Sequence, residues 1–204
     1  MTSFLNHENI ERSTADTEWH PLLPFLPEKA KILFLGSFPP QRKRWCFDFY
    51  YPNWINDHWR IEGLVFYADR DYFVDKEHKT FLLSRIVDHC RDHGLAFFDT
   101  ATAIRRLRDN ASDKYLEVVI PTDLDQLTAH LPLLRAIVTT GEKATQTLCQ
   151  TYGIVQPPVV GSATDVPGRP FQLYRLPSSS RAYPLPLEQK AAAYKQMFTR
   201  YLHE

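Results

Sequence analysis

Cysteine is scarce in this chain. Of 204 residues only Cys46, Cys90 and Cys149 are cysteine. Three are too few and too scattered for a four-cysteine zinc ribbon or iron–sulfur cluster. An odd, widely spaced set also speaks against a disulfide framework and for reduced thiols, hence a cytoplasmic location. Long apolar runs are missing too: nothing approaches the roughly 18 residues of a membrane span, so no membrane partner is expected. The start, Met1-Thr2-Ser3-Phe4-Leu5-Asn6-His7-Glu8, has neither a basic nor an apolar stretch, so no signal peptide is expected. There is no internal repeat and no low-complexity tract. A Gly-x-Ser-x-Gly elbow is absent, which leaves a hydrolase built on a nucleophile among Ser178–Ser180 poorly supported. His89, Cys90 and His93 share one predicted helix, but no further ligand pair lies near, and they read as core and surface residues rather than a metal site.

Net charge is absent as well, with 24 Lys+Arg against 24 Asp+Glu. The distribution is uneven. Residues 1–20 carry Glu8, Glu11, Asp16 and Glu18 against Arg12 alone, whereas bases gather at Arg42-Lys43-Arg44 and at Arg105-Arg106 with Arg108. A neutral total does not exclude a polyanionic partner, because the field at one face decides binding. The alternative for such clusters is a solvated surface of mixed sign.

What is present is ordinary for a folded protein: 44% hydrophobic and 24% charged residues, which excludes disorder. The length suits a single domain, 1–204, with residues 1–25 as an extension packing on it. Four short apolar runs end in Gly, Pro, Ser or Thr and read as strands: Ala30–Leu35, Leu95–Phe98, Ala136–Val138 and Phe171–Leu176. Helical spacing lies between them. Residues 77–93 put Phe81, Leu82, Ile86 and Cys90 on one face, with Gly94 following as a terminator. Thr122 reads as the N-cap of a short helix. Glu142–Tyr152 follows Gly141, and Leu187–Leu202 carries Ala191, Tyr194, Phe198 and Tyr201 on one stripe. Alternating strands and helices predict an α/β fold, a three-layer α/β/α sandwich around a four-stranded parallel sheet. The site should lie at the carboxyl ends of the strands.

One stretch is not accounted for by alternation. Gln41–Arg60 holds Trp45, Phe47, Phe49, Tyr50, Tyr51, Trp54 and Trp59. A connection this long inside a domain is usually functional. Two readings stand equal: a loop folded onto its own aromatics, or aromatics interleaved with Arg42, Lys43, Arg44 and Arg60 to stack bases beside phosphates.

Specific motifs then come into view. Ile32-Leu33-Phe34-Leu35-Gly36-Ser37-Phe38-Pro39-Pro40, followed by Tyr50-Tyr51-Pro52 and Asn56-Asp57-His58-Trp59-Arg60-Ile61, resembles the first motif of the uracil-DNA glycosylase superfamily. It is most similar to the branch with mismatch-specific uracil/thymine and hypoxanthine (deoxyinosine) glycosylases. Leu176-Pro177-Ser178-Ser179-Ser180-Arg181-Ala182 resembles the Pro-Ser loop that enters the minor groove. Gly94-Leu95-Ala96-Phe97-Phe98-Asp99-Thr100 resembles the strand carrying the base-reading residue, and Val138-Thr139-Thr140-Gly141-Glu142-Lys143-Ala144 the strand–Gly–helix turn. The similarity runs from about Ala30 to Tyr201, in order.

This resemblance implies a monofunctional DNA glycosylase that needs no cofactor or metal, takes damaged DNA as its partner and works as a monomer. It implies Asn56 and Asp99 as catalytic residues, and Gly36, Ser37, Phe38, Phe49 and Tyr50 around the base. Arg42, Lys43, Gly141, Lys143, Ser178, Ser179, Ser180 and Arg181 fall on DNA, with Arg181 filling the gap left by the flipped nucleotide. The chain also departs from the pattern. Phe38 stands where fast uracil enzymes carry Asp or Asn, Leu176-Pro177 replaces their His-Pro, and His58 replaces a Phe. Phe38 and Asp99 together point to hypoxanthine, or a mixed hypoxanthine and uracil activity, with slow turnover. A catalytically weak or inactive DNA-binding relative is the alternative.

Overall fold

A computed structural model describes residues 17–107 and 115–202. The acids Glu8, Glu11 and Asp16 and the base Arg108 lie outside the described residues. The middle of the fold is a five-stranded sheet of β2 (Ile32–Gly36), β5 (Leu95–Asp99), β8 (Ala136–Thr139), β9 (Ser162–Asp165) and β10 (Gln172–Arg175), in the order β5-β2-β8-β10-β9. Three of these strands are almost wholly buried: Ile-Leu-Phe-Leu, Leu-Ala-Phe-Phe-Asp and Ala-Ile-Val-Thr. Unbroken apolar runs of this kind fit parallel strands covered on both faces.

The pairings β2 with β5, β2 with β8, and β8 with β10 are parallel. The fifth strand, β9, pairs antiparallel with β10 and forms an exposed edge. The sheet therefore has one strand more than the four expected. Serine, alanine and threonine without an apolar run gave β9 no signature in the sequence. Register decides where chemistry can happen. Gly36 lies opposite Asp99, and Leu35 and Arg175 lie opposite Thr139. The carboxyl ends of the parallel strands are thus level, and the loops leaving them meet.

A second, three-stranded antiparallel sheet carries β1 (Thr17–Trp19), β6 (Ala101–Arg106) and β7 (Leu116–Pro121), with β6 in the centre. Sequence pattern missed it, because β7 turns Val118, Val119 and Ile120 partly to solvent and β1 is three residues long. The part of the expected N-terminal extension that is described, residues 17–25, packs on the fold. Thr17–Trp19 pair with β6, and Phe25 exchanges backbone hydrogen bonds with Phe97 at 3.0 and 2.9 Å.

The helices are α1 (His58–Tyr67), α2 (Leu83–His93), α3 (Leu124–Ala129), α4 (Glu142–Tyr152) and α5 (Leu187–Leu202). The stripe Ala191, Tyr194, Phe198 and Tyr201 is buried, and α5 packs along α1. Two helix starts differ from expectation. Helix α2 begins at Leu83, not near residue 77, because Thr80–Phe81 (β4) pair with Val74–Asp75 (β3) and Lys79 takes a left-handed φ of 50°. Phe81 reaches the core from that ribbon. Helix α3 is capped by Asp123, whose carboxylate accepts from Gln126 N at 2.9 Å, while Thr122 donates its hydroxyl to the carbonyl of Asp99 at 2.8 Å. Gly94 ends α2 with φ 66°, and a Cβ there would stand 2.5 Å from the carbonyl of Lys29. Only glycine meets both conditions at little cost.

Behind the sheet lies a buried polar cluster. His58 Nε2 is 2.8 Å from Glu62 Oε1, His89 Nε2 is 2.7 Å from Glu62 Oε2, and Tyr67 OH is 3.0 Å from His89 Nδ1. Burial opposes the Glu62 charge, but the charges and hydrogen bonds of the two imidazoles outweigh it and hold the carboxyl at about 2. Burial pushes His58 down, against the pull of Glu62. His58 thus occupies its Phe-like place by ring contacts with Phe34, Tyr51 and Trp59, with the Glu62 carboxylate beside it.

Candidate active site

The level strand ends open into a cleft of about 250 Å³. That is below the ~300–1,000 Å³ of pockets for drug-sized ligands, and suits one flat ring system. Gly36 closes β2, and Ser37 and Phe38 follow it; Phe98 and Asp99 close β5; Thr140 and Gly141 follow β8; Ser178, Ser179 and Ser180 follow β10. Tyr50, Tyr51, Asn53 and Asn56 come from the long aromatic segment, and Arg106 from β6. Ser37 Oγ is buried in this lining with no hydrogen-bond partner among the described residues.

Asp99 is the carboxylate of the cleft. Its backbone is fixed by two bonds: Thr100 N donates to Gly36 O at 2.8 Å, and Thr122 Oγ1 donates to Asp99 O at 2.8 Å. Its Oδ1 lies only 2.4 Å from where a Cβ on Gly36 would sit, so the close approach of strand β2 to the carboxylate requires glycine. Its Oδ2 lies 2.8 Å from His20 Nε2, with side-chain exposures of 9% and 2%. A carboxylate this buried needs such a partner. His20 was not foreseen: it lies 79 residues from Asp99, and no motif surrounds it.

Asn56 stands just ahead of α1. Its Oδ1 accepts from His58 N at 2.9 Å, an Asx turn just ahead of the helix, whose N-cap is Asp57. Its carbonyl accepts from Arg60 Nη1 at 3.1 Å, and the same nitrogen reaches Trp54 O at 3.0 Å. The Arg60 guanidinium lies over Trp54 and Phe81, 4.5 and 5.1 Å from the ring centres. Asp57 ties this loop to the serine loop: its N donates to Ser179 O at 3.0 Å, and its Oδ1 accepts from Arg181 Nε at 2.8 Å. Lys190, almost fully buried, donates to Ser180 O at 2.7 Å. Ser178 Oγ and Ser180 Oγ accept from Ser180 N and Ala182 N, each at 3.2 Å. Each hydroxyl proton then remains to be donated outward.

The aromatic segment divides between the two readings. Trp59 is fully buried and donates its indole N–H to Tyr50 O at 3.0 Å. Phe49 is buried against Phe25, Trp59 and Phe97 and does not line the cleft, which corrects its expected place beside the base. Tyr50 lines the cleft, but its hydroxyl is bound to Leu23 O at 3.0 Å, and burial with the nearby Asp99 charge pushes the phenol up. Tyr51, at a left-handed φ of 51°, stacks on His58 at 3.7 Å and brings its hydroxyl 3.5 Å from Thr140 Oγ1. Tyr51 and Thr140 belong to the sequence motifs, and the fold turns both into the cleft lining.

The basic residues are less convergent. Arg42 pairs with Asp48 on the exposed surface and Lys43 is exposed; neither lines the cleft. Lys143 donates to Leu116 O, away from the lining. Arg181 lies outside the lining, in a neighbouring groove with Arg60, Arg70 and Lys76. Arg105 pairs with Glu117, and Arg106 with Glu18, so these two are not the free basic face that their run suggested.

No known protein-family profile matches the chain, and no curated protein does. A solved structure does resemble it. The solution NMR structure of a "putative Uracil DNA glycosylase" from Methanosarcina acetivorans matches with a TM-score of 0.58 and 23% identity, over 90% of this chain and 97% of that one. At this identity the likeness is one of fold.

Proposed function

We propose that this protein is a monofunctional DNA glycosylase that turns a deaminated base out of DNA and hydrolyses its N-glycosidic bond. The observation that carries this reading is the convergence of Asp99, Asn56 and Ser178–Ser180 on one base-sized cleft at the strand ends, in a fold like that of the Methanosarcina protein. In this reading the sheet is the middle layer of an α/β/α sandwich, the partner is damaged DNA, and the free cysteines suit work in the cytoplasm.

A base inside a duplex is out of reach, so it is extruded at a cost of a few kcal/mol. The serine hydroxyls and the Gly141 turn hold backbone phosphates, and Arg181, in the neighbouring groove, adds a further phosphate contact. Inside the cleft, an ionised Asp99 only accepts; it takes the N1–H of hypoxanthine or the N3–H of uracil. The unpartnered Ser37 hydroxyl is free to meet the exocyclic oxygen. Asn56 Oδ1 retains a lone pair beyond the one given to His58 N and orients the attacking water. Phe38 supplies no activation of that water, so turnover is slow and depends on how well the leaving base is held. Hypoxanthine is the preferred base, with uracil second.

One observation favours a second reading, a DNA-binding relative with little or no catalysis: the Asn56 oxygen already accepts from His58 N, and Phe38 replaces the polar turn residue. A panel of oligonucleotides, each with one lesion and scored for abasic sites, separates the two. Abasic sites at deoxyinosine or deoxyuridine support the enzyme; binding without them supports the relative.

A further inference from the structure

We propose that His20 is a positioning residue for base recognition, holding Asp99 so that a single carboxylate oxygen faces the base; this rests on the glycosylase reading. The ring of His20 is clamped on every side. It lies 4.6 Å from Phe98 and 5.2 Å, edge-on, from Phe38. Its backbone N donates to Thr102 O at 2.9 Å, which fastens the segment to β6. Its Nδ1 is 2.8 Å from Leu22 O and 3.2 Å from Leu22 N. The remaining polar atom, Nε2, points at Asp99 Oδ2 at 2.8 Å.

This arrangement determines what Asp99 can do. With Nε2–H donating to Oδ2, the oxygen left for a ligand is Oδ1, which lies over Gly36, itself part of the cleft lining. The carboxylate then has one rotamer and one free acceptor. Without His20, Oδ2 is left buried and unpartnered, and the side chain turns to recover a donor. A recognition group displaced by about 1 Å can cost 10²-fold in rate, and a site holds its geometry only when its supporting residues are themselves fixed. His20 reaches Asp99 from the short strand β1 and the turn after it, outside the parallel sheet, and Leu22 of the same segment lines the cleft. The segment ahead of the sheet is therefore part of the site, not merely a covering.

The test is single-turnover excision from deoxyinosine and deoxyuridine duplexes by the full-length chain, with His20→Ala, His20→Gln, Asp99→Ala and the double variant His20→Ala/Asp99→Ala. Glutamine can place an amide N–H near the position of Nε2. His20→Ala is expected to lose about 10²-fold in excision rate while affinity for undamaged DNA stays unchanged. His20→Gln should regain most of the loss, and added imidazole should restore His20→Ala in proportion to its concentration. The double variant should be no slower than Asp99→Ala, because the two act as one unit. Should His20→Ala fail to fold, His20→Gln against His20→Leu gives the same contrast. A wild type that excises, with His20→Ala equally fast or with losses that add in the double variant, overturns this inference and leaves the glycosylase reading standing. A wild type inactive on every lesion overturns that reading, and this role for His20 with it.

Discussion

Glu62→Gln is a demanding test of the core behind the cleft. Glu62 is fully buried on α1, with oxygens 2.8 Å from His58 Nε2 and 2.7 Å from His89 Nε2. Its carboxyl is held at about 2 against an ordinary 4.5. At about 1.4 kcal/mol per pH unit, that difference is worth about 3 kcal/mol at neutral pH. Because the folded value is the depressed one, the stabilisation is complete above about pH 4.5 and is lost as pH falls toward 2. Glutamine keeps the shape and removes the charge. The variant should lose about 3 kcal/mol at pH 7, close to the 3–5 kcal/mol of a broken buried pair and roughly 6–12 °C in Tm for a chain of this size. Urea unfolding of both proteins from pH 7 to pH 3 reads this out. The gap should narrow below pH 5, as the wild type loses what the variant never had. Equal stability at pH 7, or a gap as wide at pH 3, would show that the cluster does not carry an ionised Glu62.

Three further outcomes follow from the cleft. Asn56→Ala should slow excision about 10²-fold or more, the scale for losing a positioned polar group. Loss of the hydrogen bond from His58 N to the Asn56 side chain should also cost about 1 kcal/mol in thermal unfolding. Asp99→Asn should shift preference from deoxyinosine toward deoxyuridine, since an amide can donate to a carbonyl as well as accept; an unchanged ratio in competition assays would make Asp99 structural. DNA affinity measured by anisotropy should fall with salt despite the neutral total charge, with a log–log slope of about −0.9 per phosphate contact, and Arg181→Ala should flatten it by about one contact.

Much of this architecture is legible in the chain. The parallel strands announce themselves as short, unbroken apolar runs, α5 by its periodicity and α4 by its place after Gly141. Asp99, Ser37 and the three serines are legible as polar tails of those runs. The antiparallel sheet is not, because Ala101–Arg106 is half-polar and Leu116–Pro121 turns its valines outward. Phe49 misled because an aromatic in a base-rich loop looks the same whether it faces a ligand or the core; Phe25, Trp59 and Phe97, brought around it by the fold, decide it. His20 is invisible for a similar reason. Its role comes entirely from the pairing of β1 with β6, which sets it beside a carboxylate 79 residues away.

The central claim is that the cleft releases a deaminated base from DNA. Its most direct measurement is single-turnover incubation of the wild-type chain with a duplex carrying one deoxyinosine, followed by alkaline cleavage at abasic sites, beside Asn56→Ala and an undamaged duplex. The account predicts slow, complete strand cleavage at the lesion, about 10²-fold slower with Asn56→Ala, and none in the undamaged duplex. No cleavage at deoxyinosine or deoxyuridine by a folded, DNA-binding wild type would contradict it.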